Sequence, residues 1–230
     1  MFDLPKPVVE SPGNLAIPKV RIDYPPESFE RWRAAQNPWI QSGFTDTSVW
    51  GEYEHLGAKA RMGFPNGERR RSYSFPEFHL ALLLERLGFT SWRGVQLFQR
   101  GRGLHKQPRK GRTDDVKALW PRTLYAWPDD IWKDVEWPVG PRGESGPKNP
   151  DIVAFNEARS EWMFFEVKRE DRLHPDQLRT LAVLHLLTGA SVAVARLVPS
   201  GRAKKPTESL PVTLQFSGGI APNWAHRFIA

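Results

Sequence analysis

Apolar positions gather into regular elements at two places along the chain. From Ser74 to Phe89, SFPEFHLALLLERLGF carries Phe78, Leu80, Leu82, Leu83, Leu84 and Leu87 around most of a helical circumference, which predicts a largely buried helix. Ser74 is the candidate N-cap, with Pro76 and Glu77 in the first turn and Gly88 as the stop. GVQLFQRG, starting at Gly94, alternates at Val95 and Leu97 and reads as a short strand. The last third is the most regular. PDIVAFN and WMFFEVK read as strands joined by the turn NEARSE. DQLRTLAVLHLLTG reads as a helix, ASVAVARLV as a strand and PVTLQFS as a final edge strand. Helix, strand, hairpin, helix and strand in that order predict an α/β fold, a mixed central sheet flanked by helices.

The remaining segments are less periodic. Residues 1 to about 30 hold Pro5, Pro7, Pro12, Pro18, Pro25 and Pro26. Proline lacks an amide donor and fixes φ, so this stretch reads as an extended arm rather than a helix or a central strand. Residues 27 to 70 offer one short helix, Glu27 to Gln36, and then no clear period. The expected organisation is an N-terminal extension over 1–70 and one domain over 71–230. Thr180 to Val198 is apolar over nearly a membrane-spanning length, but His185, Gly189 and Arg196 interrupt it, so a helix followed by a buried strand fits better. MFDLPKPVVE has neither the basic nor the apolar region of a signal peptide. The expectation is a soluble, cytoplasmic protein with no membrane partner.

Composition narrows the chemistry. The chain has no cysteine, which excludes disulfides, thiolate zinc sites, a cysteine nucleophile and iron–sulfur clusters. Its net charge of +7 suits a polyanionic partner, nucleic acid first. Arg100, Arg102, Lys106, Arg109, Lys110 and Arg112 crowd one glycine-containing segment, a candidate phosphate-contacting loop whose plain alternative is a solvated loop. Arg69 to Arg71 form a second basic cluster. No Walker A motif, Gly-x-Ser-x-Gly elbow or His-Glu-x-x-His motif occurs, which argues against an intrinsic ATPase, a serine hydrolase and a zinc hydrolase.

The sharpest constellation is Asp151 after a proline, followed by Glu166-Val167-Lys168. On a strand, Glu166 and Lys168 share a face. If Asn156 and Glu161 close a four-residue loop, paired positions sum to 317 and Asp151 falls directly across from Glu166. Facing carboxylates repel, and a divalent cation relieves this more completely than a lysine two residues along. Hard oxygen donors suit magnesium or manganese. Such a site polarises a phosphoryl oxygen and acidifies a bound water, while a lysine stabilises the charge that develops on the phosphate. The plain alternative is a structural salt bridge on a strand.

The run from Asn149 to Pro199 resembles the virus-type replication-repair nuclease (VRR-NUC) domain of the PD-(D/E)xK superfamily, in its Pro150-Asp151, its Glu166-Val167-Lys168, its DRLHPDQ loop entering a helix and its Gly189 before the next strand. The resemblance covers roughly residues 74 to 198 and is most specific from Pro150. It implies a restriction-endonuclease-like fold and a magnesium-dependent (or manganese-dependent) DNA endonuclease acting on branched, junction or flap DNA in repair, recombination or phage-related processes. It implies Asp151 and Glu166 as metal ligands, with the Val167 carbonyl a third candidate, Lys168 serving the nucleophilic water, and Gln177 supporting the site. A first-helix glutamate belongs to the same pattern; Glu77 matches best and Glu85 competes. Stand-alone members are often dimeric, so a homodimer is a further expectation. The alternative function is a non-catalytic nucleic-acid-binding protein on the same fold.

Overall fold

A computed structural model describes residues 4–30, 75–93, 132–137, 146–203 and 207–226, with a few isolated positions between 95 and 120. Its centre is a mixed seven-stranded sheet in the order β1-β2-β6-β5-β4-β3, with β7 also paired to β2. The strands are β1 (Val8–Ser11), β2 (Asn14–Tyr24), β3 (Thr90–Arg93), β4 (Ile152–Asn156), β5 (Glu161–Lys168), β6 (Ser191–Pro199) and β7 (Glu208–Thr213). Among the described residues, α1 (Phe75–Arg86) and α2 (Pro175–Thr188) flank the sheet. The expected α/β architecture, with helices on a mixed sheet, is present.

Alternation along the strands builds two separate cores. One sheet face carries Trp92, Val153, Phe155, Trp162, Phe164, Val192 and Val194, and α2 covers it with Leu181, Leu184 and Leu187. The other carries Val20, Ile22, Ile152, Ala154, Phe165, Val167, Ala193 and Ala195, and α1 covers it with Phe75, Phe78 and Leu82. Each fully buried large side chain contributes roughly 1.5–3 kcal/mol. Tryptophan serves the first core: Trp92, Trp120, Trp162 and Trp224 are all buried there.

The central hairpin and its crossover match the sequence pattern closely. β4 and β5 pair antiparallel from Ile152 with Phe165 to Asn156 with Glu161. The loop is fastened by Asn156, whose Oδ1 accepts from the Arg159 amide at 3.1 Å. α2 then returns the chain so that β6 runs parallel to β5, as a βαβ crossover requires. His174 caps α2, and its end comes at Gly189, whose φ of 70° closes the helix and whose amide N–H donates to the His185 carbonyl at 2.7 Å. The apolar stretch from Thr180 to Val198 is thus the end of a helix plus a buried strand, and among the described residues no helix is long and apolar enough to cross a membrane.

Three expectations are corrected. The proline-rich arm is not an arm over residues 8–24: β1 and β2 belong to the sheet, and β2 pairs with β6 in parallel and with β7 and β1 antiparallel. The prolines tolerate this because of where they fall. Pro5 and Pro7 precede β1, Pro12 lies in the turn before Gly13, and Pro25 and Pro26 follow β2. Pro18 lies inside β2 but outside the parallel ladder with β6, which begins at Lys19. The division between an extension and a domain at residue 70 lies outside the described residues, yet residues 8–24 are built into the same sheet as the rest. A strand forms earlier, at Thr90–Arg93; of the segment expected as a strand from Gly94, Val95, Leu97 and Phe98 are buried outside any strand, and the other residues lie outside the described residues. The last strand begins three residues earlier than PVTLQFS and pairs with β2. Of the helix expected over Glu27 to Gln36, residues 26–30 are helical and the remainder lies outside the described residues.

Candidate active site

β5 sends Trp162, Phe164, Glu166 and Lys168 to one face. The first two enter the core and the last two pass beyond its edge, so one strand carries both a hydrophobic anchor and a polar pair. Asp151 stands one residue before β4, and the observed register, carried one step further, sets it opposite Glu166. Its carboxylate Oδ2 accepts the Val167 amide at 2.8 Å. In an extended strand the N–H and C=O of one residue face the same neighbour, so the Val167 carbonyl is directed to the Asp151 side as well.

The approach to Asp151 is fixed by residues that sequence reasoning missed. Asn149 Oδ1 accepts from the amides of Leu97 at 2.7 Å and Phe98 at 2.9 Å. The Lys148 amide donates to Thr180 Oγ1 at 2.9 Å, tying the same segment to α2. Only a turn-forming asparagine before Pro-Asp hinted at this, and its partners lie about fifty residues away in sequence.

Glu166 is 2% exposed. Lys168 Nζ lies 2.8 Å from its Oε1 and 2.9 Å from Asp171 Oδ2. Gln177 Nε2 donates to the same Glu166 oxygen. The Gln177 Oε1 accepts the His174 amide at 2.8 Å, and His174 Nδ1 accepts from the Asp176 amide at 3.3 Å. This is a capping box with histidine as the cap. Gln177 is thereby held at one end by the helix start and at the other by the buried carboxyl. His174, read from sequence as a loop residue, serves that cap.

A cavity of about 420 Å³ brings these groups together, lined by Glu77, Asp151, Glu166, Lys168, Asp171 and Gln177 among others. Glu77 reaches it from the first turn of α1, on the other side of the sheet from α2. Glu85 does not line it; eight residues on, it stands about 12 Å along the helix. Asp171 was not singled out from sequence, although it lies in the DRLHPDQ loop. The basic residues Arg100, Arg102, Lys106, Arg109, Lys110 and Arg112, and the Arg69–Arg71 cluster, lie outside the described residues.

Electrostatics follow from burial. Desolvation, aided by the neighbouring Asp151 charge, pushes the Glu166 carboxyl up to about 9, against the pull of Lys168. Burial alone would lower the Lys168 amine, but its bonds to Glu166 and Asp171 outweigh that and raise it. Burial would likewise raise Asp171, and Lys168 outweighs it in the other direction. Away from the site, burial lowers His185, whose Nδ1–H donates to the Ala190 carbonyl at 2.8 Å as a satisfied core histidine.

A divalent cation is the group this donor set would suit. Two carboxyl groups and a carbonyl converge, and burial beside the Asp151 charge makes the Glu166 carboxyl give up its proton reluctantly even with Lys168 at 2.8 Å, a cost that a cation held between the two carboxyl groups would offset. Among the described residues, no group of three or more His, Cys, Asp or Glu is disposed to hold a metal ion. The fit therefore rests on Asp151, Glu166 and the Val167 carbonyl. No family model matches the chain, and no curated protein matches it.

Proposed function

We propose that the chain is a metal-dependent endonuclease that hydrolyses DNA phosphodiester bonds, with branched, junction or flap DNA as its substrate. The observation that carries this reading is the hairpin register, which sets Asp151 across from Glu166 and leaves Lys168 on the same face of one cavity. The preference for branched DNA and the role in repair, recombination or phage biology rest on the resemblance to VRR-NUC nucleases alone.

Asp151, Glu166 and the Val167 carbonyl would hold magnesium or manganese, which when bound supplies Lewis-acid polarisation of the phosphoryl oxygen and a more acidic water. The protein's own groups divide the remaining work. Lys168 has a raised amine pKa, so it stays an ammonium at neutral pH. It acts as a hydrogen-bond donor that orients the attacking water and stabilises charge on the phosphate, rather than as a base. Asp171 holds that ammonium from the other side. Gln177 fixes the Glu166 carboxyl by one amide hydrogen while its oxygen is anchored on the helix cap. Glu77 lines the same cavity from α1 and adds a further carboxylate to it.

One observation favours a second reading. The Glu166 carboxyl already has an ammonium partner at 2.8 Å, as a structural ion pair would. On that reading the fold binds nucleic acid without cutting it. A single experiment separates the two. The full chain is incubated with four-way junction, flap, duplex and single-stranded DNA and with RNA, with magnesium, manganese or chelator, beside Asp151→Asn and Lys168→Ala. Cleavage that requires the ion and is lost in both variants is expected. Binding with no cutting of any substrate would leave the second reading standing.

A further inference from the structure

We infer that a second cavity, of about 550 Å³ lined by β2, the second half of β6 and the segment from Arg202 to the start of β7, is a groove for the sugar–phosphate backbone of the nucleic-acid strand, with Arg196 and Arg202 as its phosphate contacts. This rests on the nucleic-acid reading proposed above and extends it to substrate binding.

The register places the groove. Lys168 pairs with Arg196 across β5 and β6, and Arg196 pairs with Arg21 across β6 and β2. All three strands are parallel to one another, so residues in register share a face. Lys168, Arg196 and Arg21 therefore form one row, about 4.8 Å per strand. Ligands of α/β sheets lie in crevices outside the carboxyl ends of parallel strands; Lys168 ends β5 in the first cavity, and Arg196 and Val198 in the second half of β6 line the other. A strand whose phosphate sits at Lys168 meets the row at its next step.

The lining groups differ in what they are free to do. Lys19 is paired with Glu208 at 2.6 Å. Arg21 is committed too. Its Nε donates to Asp23 Oδ1 at 2.7 Å, and its other nitrogens donate to the carbonyls of Arg202, at 2.9 Å, and Ala203. Arg21 thus pins the backbone that carries Arg202. Arg196 and Arg202 differ: their guanidinium groups make no hydrogen bond or ion pair with another described residue. Arg196 is half-buried and lines the groove, and its guanidinium carries five donors. Lys19, Arg21, Arg196 and Arg202 face one lining carboxylate, Glu208, and a planar guanidinium matches phosphate oxygens two at a time.

Fluorescein-labelled single-stranded and duplex DNA is titrated against the full chain in chelator, from 50 to 200 mM salt. Arg196→Gln, Arg202→Gln, the double variant and Arg159→Gln are compared, the last being an exposed arginine beside the β4–β5 loop. Arg196→Gln and Arg202→Gln should each weaken binding about tenfold and flatten the dependence of log K on log salt by about 1. Arg159→Gln should change neither. Arg202 is exposed, so its variant keeps the test valid if Arg196→Gln unfolds. Unchanged affinity and salt slope in the double variant would overturn the groove, as would equal losses in Arg159→Gln or wild-type protein that binds no DNA. Cleavage is scored separately with magnesium. Wild type that cuts DNA while the double variant binds normally sinks the groove and spares the nuclease. Wild type that binds through both arginines yet cuts nothing sinks the nuclease and spares the groove.

Discussion

Replacing Glu166 by glutamine should flatten the pH dependence of stability and abolish the response to magnesium. The wild-type carboxyl is pushed up to about 9 in the fold from an ordinary value of 4.5. Between those values the folded state keeps a proton that the unfolded chain has released, so stability falls as pH rises through this window. The contribution is whole below about 4.5 and is exhausted above about 9. Each pH unit inside the window is worth about 1.4 kcal/mol, so from pH 5 to pH 8 the contribution of Glu166 itself should fall by on the order of 4 kcal/mol. For a chain of this size that corresponds to roughly 10 °C in Tm. Glutamine is nearly isosteric, and its Oε1 can still accept from Gln177 and Lys168, the partners that Glu166 Oε1 has now. His185 works in the opposite sense: burial lowers it, so its contribution is lost as pH falls below its ordinary 6.5. The quantity to compare is therefore the difference between wild type and Glu166→Gln, in thermal unfolding scans from pH 5 to 9 with and without magnesium. Wild type should gain stability from magnesium above pH 7, with release of a proton, and the variant should not. Parallel pH profiles for the two proteins, or equal stabilisation of both by magnesium, would refute the reasoning.

Gln177→Ala removes both the donor to Glu166 and the acceptor for the His174 amide, and should cost about 1–2 kcal/mol in denaturant unfolding together with most of the cleavage rate. Gln177→Glu keeps the cap but sets a carboxylate against Glu166, so cleavage should fall while the cap survives; a wild-type rate in that variant would show the amide donor to be irrelevant. Asn149→Ala leaves the buried amides of Leu97 and Phe98 without their acceptor, so a loss of about 2 kcal/mol is expected from urea melts, with weaker cleavage through a displaced Asp151. Gly13→Ala forces a side chain onto a φ of 87° and brings Cβ to 2.9 Å from the Leu214 carbonyl and the Phe216 ring, for a predicted cost of about 1–3 kcal/mol in the same assay.

Particular residues show what was legible in the sequence. The hairpin register could be worked out because NEARSE is short and the flanking strands carry apolar residues on both faces, so one loop length fixed every pair from Ile152–Phe165 to Asn156–Glu161. The end of α2 was legible from Gly189, and its beginning from the change of pattern at Pro175. β2 was missed because its prolines were weighed by number rather than by position. Val20, Ile22 and Tyr24 alternate with Lys19, Arg21 and Asp23 as cleanly as any strand in the chain, and Pro12-Gly13 is a turn pair. Asn149, Thr180 and Asp171 were illegible for another reason. Their partners depend on distant segments meeting in space, and no local period encodes that. Trp92 lies in a strand too short for alternation to reveal, which is why β3 was placed several residues late.

β2 has a consequence for how the chain assembles. Its neighbours β6 and β7 are encoded more than 160 residues downstream, and the pairing of Lys19 with Val194 and Glu208 closes very long loops. Contacts of such separation slow folding. During synthesis β2 can pair with β1 at once, but its places beside β6 and β7 stay unfilled until those strands have been made. A nascent chain halted before residue 190 would expose the apolar row Val20, Ile22 and Tyr24, which makes this short N-terminal ribbon the natural place for a chaperone to wait.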